Sequence, residues 1–101
     1  MDVFSALADP TRRRIVELVS ASDMSAGDIA AQFAVSRPAV SKHLRLLRQT
    51  GVLASRGVAQ KRIYSINPQA LDELDAWSAK TRAFWSSRLA RLDRLLEVVE
   101  S

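Results

Sequence analysis

Residues 36–49 read SRPAVSKHLRLLRQ and carry the clearest structural signal in the chain. Ser36 favours the start of a helix, because its hydroxyl can accept a hydrogen bond from an otherwise unpaired backbone N–H. Pro38 is tolerated in the first turn, where its missing N–H costs nothing. The helix ends before Gly51, since glycine is the usual residue after a last turn. One face of this helix is predicted to be buried, and its apolar residues are Val40, Leu44 and Leu47.

The opposite face of the same helix carries hydrogen-bond donors and no acidic residue. A helix fits the major groove of double-stranded DNA, and the first residues of a recognition helix meet the base edges. The residues predicted to contact bases are Arg37, Pro38, Ala39, Ser41 and Lys42. The residues of this helix predicted to contact phosphates are Ser36, Arg45 and Arg48. A solvated helix face is the alternative for any one of these residues, but it does not account for the set.

A shorter helix precedes this one. Ser25 and Asp28 have the spacing of a capping box, with aspartate in the place of glutamate. The residues predicted to face inward are Ile29, Ala30 and Phe33. A break follows at residues 34–35. Two helices joined by a tight turn form a helix-turn-helix, which is predicted over about residues 25–50.

Two further helices are predicted nearer the N-terminus. A short one covers residues 3–8 and carries Phe4 and Leu7. Asp9 followed by Pro10 starts the next one, because aspartate caps a helix and proline loses nothing at its first position. This second helix runs to about residue 20, and its predicted inner residues are Ile15, Leu18 and Val19. The basic residues of its first turns, for which phosphate contact and simple solvation both stay open, are Arg12, Arg13 and Arg14.

A β-hairpin is predicted over about residues 52–66, with strands at 52–56 and 61–66. β-Branched and aromatic residues flank a glycine-containing loop at residues 57–60. The residues predicted to reach phosphates or an adjacent minor groove are Arg56, Gln60, Lys61 and Arg62. Because neighbours in a strand point to opposite faces, only one of Lys61 and Arg62 is expected to make that contact.

A last helix starts at Asn67 and Pro68 and is predicted to run to residue 100. It is either one helix of about 50 Å or two helices with a bend near residues 78–81. Its apolar residues form one broad stripe, which consists of Leu71, Leu74, Trp77, Phe84, Trp85, Leu89, Leu92, Leu95, Leu96 and Val99.

A single domain over residues 1–101 is predicted, and its core is too small to hide the whole stripe. A symmetric dimer solves this problem, because it buries the same apolar surface on both subunits. The predicted dimer interface consists of Phe4, Leu7, Phe84, Trp85, Leu89, Leu92 and Leu96. Packing within one subunit is the alternative for residues 71–77. A small-ligand pocket is a further alternative, lined by Trp77, Phe84 and Trp85.

The charge of the chain is concentrated in its middle. The 101 residues carry a net charge of +4, yet residues 29–71 contain no Asp or Glu. Such a stretch is typical of proteins that bind polyanions, with scattered solubility charges as the alternative. The hydrophobic share of 48% and the charged share of 26% indicate a globular protein.

Several classes of protein are not expected. No apolar run approaches the roughly 20 residues that span a membrane, and the first residues lack the features of a secretory signal. A cytoplasmic protein is therefore expected. The absence of cysteine removes disulfides and thiolate sites. There is no catalytic carboxylate pair, no Ser–His–acid set and no glycine-rich phosphate loop, so neither an enzyme nor a cofactor is expected.

The chain resembles the ArsR-type (arsenic-repressor-like) winged helix-turn-helix regulators. The resemblance runs through residues 7–13, 29–30, 35–44, 47, 51–53, 62 and 64. It implies a mainly α fold with a small β-hairpin, dimeric through the first and last helices. It also implies a homodimeric repressor that binds a near-palindromic operator in double-stranded DNA. In such a protein residues 36–49 are the recognition helix and the hairpin is the wing.

The chain departs from many of these regulators in its metal ligands. Relatives sense metals through a Cys-x-Cys pair on the helix matching residues 25–33, or through Asp and His pairs on the last helix. Here there is no cysteine, and the single histidine is His43. The resemblance is therefore to the metal-independent, autorepressor-like branch, with no metal and an unidentified small-molecule or protein effector left open. We interpret His43 as a hydrogen-bonded, partly buried structural residue, with a phosphate contact or a pH switch as alternatives.

One other function fits the same fold. A winged helix can hold a protein or an RNA without reading DNA, because a fold does not by itself determine a function. The donor-rich, acid-free face of the recognition helix favours nucleic acid over a protein partner.

Overall fold

The computed structural model describes residues 1–100; the side chains of Val99 and Glu100 and the residue Ser101 lie outside the described part. The described elements are α1 (Val3–Ala6), α2 (Pro10–Ala21), β1 (Met24–Ser25), α3 (Ala26–Ala30), α4 (Arg37–Gln49), β2 (Leu53–Val58), β3 (Lys61–Ile66) and α5 (Pro68–Glu100). The predicted mainly α fold with a small β-hairpin is confirmed. Contacts divide the chain into two compact units, Met1–Leu71 and the residues from Asp72 onward. The single domain over residues 1–101 stays a prediction.

Local capping chemistry starts the helices where the sequence predicts. A carboxylate oxygen of Asp9 accepts a hydrogen bond from the backbone N–H of Arg12 at 3.0 Å. The hydroxyl of Ser25 accepts one from Asp28 at 3.1 Å, and that of Ser36 accepts one from Ala39 at 3.3 Å. Each bond satisfies a donor that the first turn of a helix leaves unpaired. The predicted starts of α2, α3 and α4 are therefore confirmed.

The core of the first unit is built on the inner face of α4. Val40, Leu44 and Leu47 are at most 1% exposed. They share this core with residues of α2 and α3, namely Ile15, Val19 and Ile29. Burying each such side chain stabilises the fold by about 1.5–3 kcal/mol, so the stripe holds α4 with only one orientation of its outer face. Three other residues predicted to face inward are only half-buried, and these are Leu18, Ala30 and Phe33.

The first helix is shorter than predicted. It ends at Ala6, and the chain turns before α2. Val3 and Ala6 are its buried residues, while Phe4 and Leu7 are half-buried.

The sheet has a strand that the sequence did not predict. Its order is β1-β3-β2, with all neighbours antiparallel. In β1, Met24 pairs with Tyr64 and Ser25 pairs with Ile63. A two-residue strand is too short to display the alternation that identifies strands in a sequence, so only its partner in the fold defines it.

The turn of the hairpin is also shorter than predicted. Gly57 and Val58 belong to β2, and Val58 pairs directly with Lys61. The predicted loop over residues 57–60 is therefore wrong in its first half. Ala59 opens the two-residue turn with a φ of 56°, because tight hairpin turns need a left-handed residue to match the twist of their strands.

The end of α4 is tied to the start of α5. Gly51 follows the C-cap of α4 with a φ of 82°, as predicted. Its carbonyl oxygen accepts a hydrogen bond of 2.9 Å from the side-chain amide of Asn67. The same side chain accepts a hydrogen bond from the backbone N–H of Gln69 at 3.2 Å. Asn67 therefore joins the hairpin exit to both helices.

The last helix is continuous. The structure forms the single helix α5 instead of two helices that meet at residues 78–81. Leu74 of the apolar stripe is half-buried. Seven later members of the stripe are each more than half exposed, and these are Trp77, Phe84, Trp85, Leu89, Leu92, Leu95 and Leu96. The rings of Phe84 and Trp85 meet edge to face at 6.2 Å, and the guanidinium of Arg88 lies over both. Across the described residues, no helix combines the length and apolar character needed to cross a membrane.

Candidate nucleic-acid interface

The outer face of α4 is open to solvent. Every residue predicted to contact bases or phosphates from this helix is exposed, apart from the half-buried Ala39. This exposure follows from the buried stripe on the other side, which leaves the donor-bearing side chains no position except outward. The exposed residues are Ser36, Arg37, Pro38, Ser41, Lys42, Arg45 and Arg48.

The start of α4 and the tip of the wing line one groove of about 390 Å³. The groove brings together Arg37 and three of the predicted wing residues, Gln60, Lys61 and Arg62. On its other side lies the start of α3, where a guanidinium nitrogen of Arg37 passes 3.6 Å from the position that a Cβ on Gly27 would take. Three cations face one acid, Asp28, so this groove attracts an anion.

A second groove, of about 340 Å³, follows the later turns of α4. Its lining residues are Ser41, Arg45, Arg48, Gln49 and Tyr64. Tyr64 is 8% exposed and forms the buried wall of this groove. Arg45 and Arg48 lie one turn apart on the same side, so their charges act on one stretch of a bound polyanion. Each groove thus combines predicted phosphate-binding residues with one predicted base-reading residue, which is Arg37 in the first groove and Ser41 in the second.

The strand register separates the basic residues of the wing, as predicted. Arg62 pairs with Gly57 and shares a face with Ser55, whose hydroxyl accepts a hydrogen bond of 3.0 Å from its guanidinium. Lys61 lies on the opposite face, where Arg56 also lies. Lys61 and Arg62 nevertheless line the same groove at the tip, so the expectation that only one makes contact stays a prediction.

Arg56 has an acidic partner. Its guanidinium lies 3.1 Å from a carboxylate oxygen of Asp23, in the segment that leads into β1. Sequence reasoning missed this pair because Asp23 lies outside the acid-free stretch and 33 residues away along the chain. The strand β1 brings the two side chains together, and both are about half exposed.

Arg12 takes neither of the two positions that the sequence left open for it. Its Nε donates to the carbonyl oxygen of Ala6 at 2.7 Å, and one terminal nitrogen donates to that of Ser5 at 3.3 Å. The other terminal nitrogen lies 3.4 Å from Nδ1 of His43. Arg12 is therefore neither simply solvated nor directed at a phosphate in this structure.

The half-buried, hydrogen-bonded position of His43 agrees with its interpretation as a structural residue.

The carboxylate of Asp9 completes this cluster at the start of α2. The hydrogen bond from the backbone N–H of Arg12 lowers the pKa of Asp9, and the nearby side chains of His43 and Arg12 lower it further. Desolvation opposes this change but does not reverse it.

Within the part of the chain that the structure describes, no three or more His, Cys, Asp or Glu residues come together as a metal site.

Comparison with known proteins places the chain in a family. Residues 7–56 match a helix-turn-helix domain model. The transcriptional repressor SdpR of Bacillus subtilis is 42% identical over 76 residues, which are 75% of this chain and 84% of SdpR. The HTH-type transcriptional regulator Rv2034 of Mycobacterium tuberculosis is 34% identical over 94 residues, or 93% of this chain and 85% of that protein.

A solved structure agrees with the sequence relatives. The ArsR-like transcriptional regulator from Rhodococcus sp. RHA1 superposes with a TM-score of 0.78 at 32% identity, covering 92% of this chain and 88% of the other. These similar proteins are transcriptional regulators and not enzymes. The chain therefore belongs to the ArsR family of winged helix-turn-helix transcriptional regulators.

Proposed function

We propose that this protein is a sequence-specific repressor that binds double-stranded DNA as a homodimer on a near-palindromic operator. The observation that carries the proposal is the outer face of α4, which is exposed, rich in donors and free of acids. A buried stripe on the opposite side holds this face outward. Donors without acids match the acceptors on guanine, on adenine N7 and on phosphate oxygens, and they avoid repulsion by the DNA backbone.

Different parts of α4 and the wing contact different parts of the DNA. Residues of the first two turns contact base edges, and these are Arg37, Pro38, Ala39, Ser41 and Lys42. Arg45 and Arg48, with the groove between them and Tyr64, hold a phosphate further along the helix. Ser36 and the wing residues Arg56, Gln60, Lys61 and Arg62 contact the flanking backbone. Phosphate contacts set affinity and orientation, whereas base contacts set the sequence.

A homodimer accounts for the exposed face of α5. Five large apolar side chains of the predicted interface are each more than half exposed in the single chain, and these are Phe84, Trp85, Leu89, Leu92 and Leu96. A stable monomer rarely leaves a contiguous patch of this kind in water. A second copy is the occupant that we propose, because a two-fold contact lets each stripe cover its own counterpart. We assign Phe4 and Leu7 of the N-terminal segment, both half-buried, to the dimer interface as well.

The two-fold symmetry of such a dimer predicts the symmetry of its target. Each recognition helix reads one half-site, so the half-sites form a near-palindrome with centres about one helical turn apart, or a multiple of it.

We propose further that the repressor acts without a metal. The chain has no cysteine and one histidine, and protein zinc sites usually take three or four ligands from such residues.

One binding experiment tests the central claim. Duplexes are selected from a random pool with the parent protein, and the affinities for a selected and a scrambled duplex are compared at about 150 mM salt, where non-specific binding is weak. We expect a preference of about a thousandfold or more. Equal affinity for both duplexes would show that the protein does not read sequence, and sedimentation as a monomer at micromolar concentration would contradict the homodimer.

A further inference from the structure

The side chain of Arg12 connects three helices. Its backbone N–H is held by the carboxylate of Asp9 at 3.0 Å, at the start of α2. Its guanidinium donates to the carbonyl oxygens of Ala6 and Ser5, the last two residues of α1. The remaining nitrogen faces Nδ1 of His43, the seventh of the thirteen residues of α4. Both ends of Arg12 are therefore anchored before it reaches the recognition helix.

The chemistry of this contact gives it a direction. A guanidinium carries donors and no acceptor, so Arg12 is the donor and Nδ1 of His43 is the acceptor. The contact thus constrains the orientation of the imidazole. The same arrangement gives the carbonyl oxygens of Ser5 and Ala6 a hydrogen-bond donor, because carbonyls at the end of a helix lack partners within that helix and attract a cation.

We propose that Arg12 is a positioning residue for DNA reading: through His43 it holds the outer face of α4 in register with α1. This inference rests on the proposed function. His43 directly follows Lys42 and lies two residues from Ser41, both of which we assign to base contact. The buried stripe limits how α4 rotates, and Arg12 adds a directed polar contact at the edge of that stripe. Base reading needs side chains placed within about 0.5 Å, so a polar contact with a defined direction matters more here than its energy suggests.

Variants of His43 separate positioning from other roles. His43→Leu removes the acceptor but leaves the bonds of Arg12 to α1 in place. His43→Asn puts an amide oxygen close to the position of Nδ1 and keeps an acceptor for Arg12. Arg12→Gln removes the guanidinium itself, and Arg13→Gln is the matched control, since Arg13 is the exposed neighbour with the same charge.

The measurement is the ratio of affinities for the selected and the scrambled duplex. We expect His43→Leu and Arg12→Gln each to lower this ratio by about tenfold, the discrimination that one base contact commonly supplies. The double variant should lose no more than either single variant, because both act through one contact. His43→Asn should restore most of the ratio, and Arg13→Gln should leave it unchanged.

Other outcomes overturn the inference. If His43→Leu folds as the parent does and weakens binding to both duplexes equally, His43 contacts a phosphate and Arg12 does not position α4. Additive losses in the double variant would also refute a shared contact. If Arg12→Gln fails to fold, the comparison of His43→Leu with His43→Asn decides alone. If the parent protein does not prefer the selected duplex, the proposed function is wrong as well. If the parent and His43→Leu prefer the selected duplex to the same extent, only this inference is wrong.

Discussion

The guanidinium of Arg56 in β2 lies 3.1 Å from the carboxylate of Asp23, the residue before β1, on the other side of the central strand β3. This pair places an acid beside the wing of a chain whose residues 29–71 contain none. Both side chains are about half exposed, so the pair itself contributes at most about 1 kcal/mol to stability. We expect its effect on DNA binding to be larger, because a cation that already has a partner gains less from a phosphate.

Asp23→Asn should therefore strengthen DNA binding. The substitution frees Arg56 for a phosphate, so affinity should rise for every duplex alike, and the dependence on salt should steepen by about one phosphate contact. Titrations at several salt concentrations measure both quantities. The combination Asp23→Asn with Arg56→Ala is the control and should show no such gain. Unchanged affinity in Asp23→Asn would mean that Arg56 does not approach the backbone.

Substitutions of Arg37 and of Arg45 should affect the affinity for DNA in different ways. Arg37→Ala removes a proposed base contact, so it should cost about 1–3 kcal/mol on the selected duplex and little on the scrambled one. Arg45→Ala removes a proposed phosphate contact, so it should weaken both duplexes equally and flatten the salt dependence by about one unit. Parallel losses for Arg37→Ala would instead assign it to a phosphate in the wing groove that it lines.

Ala59→Gly should stabilise the protein. Ala59 has a φ of 56°, a conformation that costs a residue with a Cβ about 1 kcal/mol and costs glycine almost nothing. Denaturant unfolding should show a gain of up to about 1 kcal/mol, reduced by the greater freedom of glycine in the unfolded chain. Gly57→Ala in the neighbouring strand is a useful comparison, because no atom lies within 4 Å of the added methyl group. A loss of stability in Ala59→Gly would contradict a strained turn.

The helix cap formed by Asp9 should make the stability of the folded protein depend on pH. Asp9→Ala removes the acceptor for the N–H of Arg12 and should cost about 1 kcal/mol at pH 7. Because that hydrogen bond lowers the pKa of Asp9 in the folded state, the contribution of the charge is complete above the ordinary aspartate pKa, about 4. It disappears as the pH falls through the lowered value. Asp9→Asn keeps a capping side chain that does not titrate, so its stability difference from the parent should shrink between pH 7 and pH 2. A difference that stays constant with pH would exclude a role for the charge.

Leu92→Glu should separate the proposed dimer. A carboxylate in the middle of an apolar interface loses its hydration without a partner, so we expect a monomer by sedimentation and much weaker operator binding. Ala90→Glu adds the same charge at an exposed position about 160° around the helix from Leu92, and about 100° or more from every member of the stripe. It should remain a dimer. If Leu92→Glu dimerises normally, a surface other than this stripe joins the two copies.

The sequence alone determined the features that depend on neighbours along the chain. Asp9-Pro10, Ser25 and Ser36 predict helix starts correctly because a capping bond spans only three residues. The spacing of the stripe of α4 predicts both its buried face and, by exclusion, its outer face, because helix geometry is regular.

The tertiary structure decided the contacts between residues far apart in the chain. The strand β1 exists only through its pairing with β3. The contact of Arg12 with His43 spans 31 residues, and that of Asp23 with Arg56 spans 33. Side chains such as these carry no local signal of their partners, because a hydrogen bond or an ion pair depends on distance and direction in space, which only the packed core sets. The sequence thus identifies the recognition helix from SRPAVSKHLRLLRQ, while the packing around it determines which of the chain's arginines are free to meet DNA.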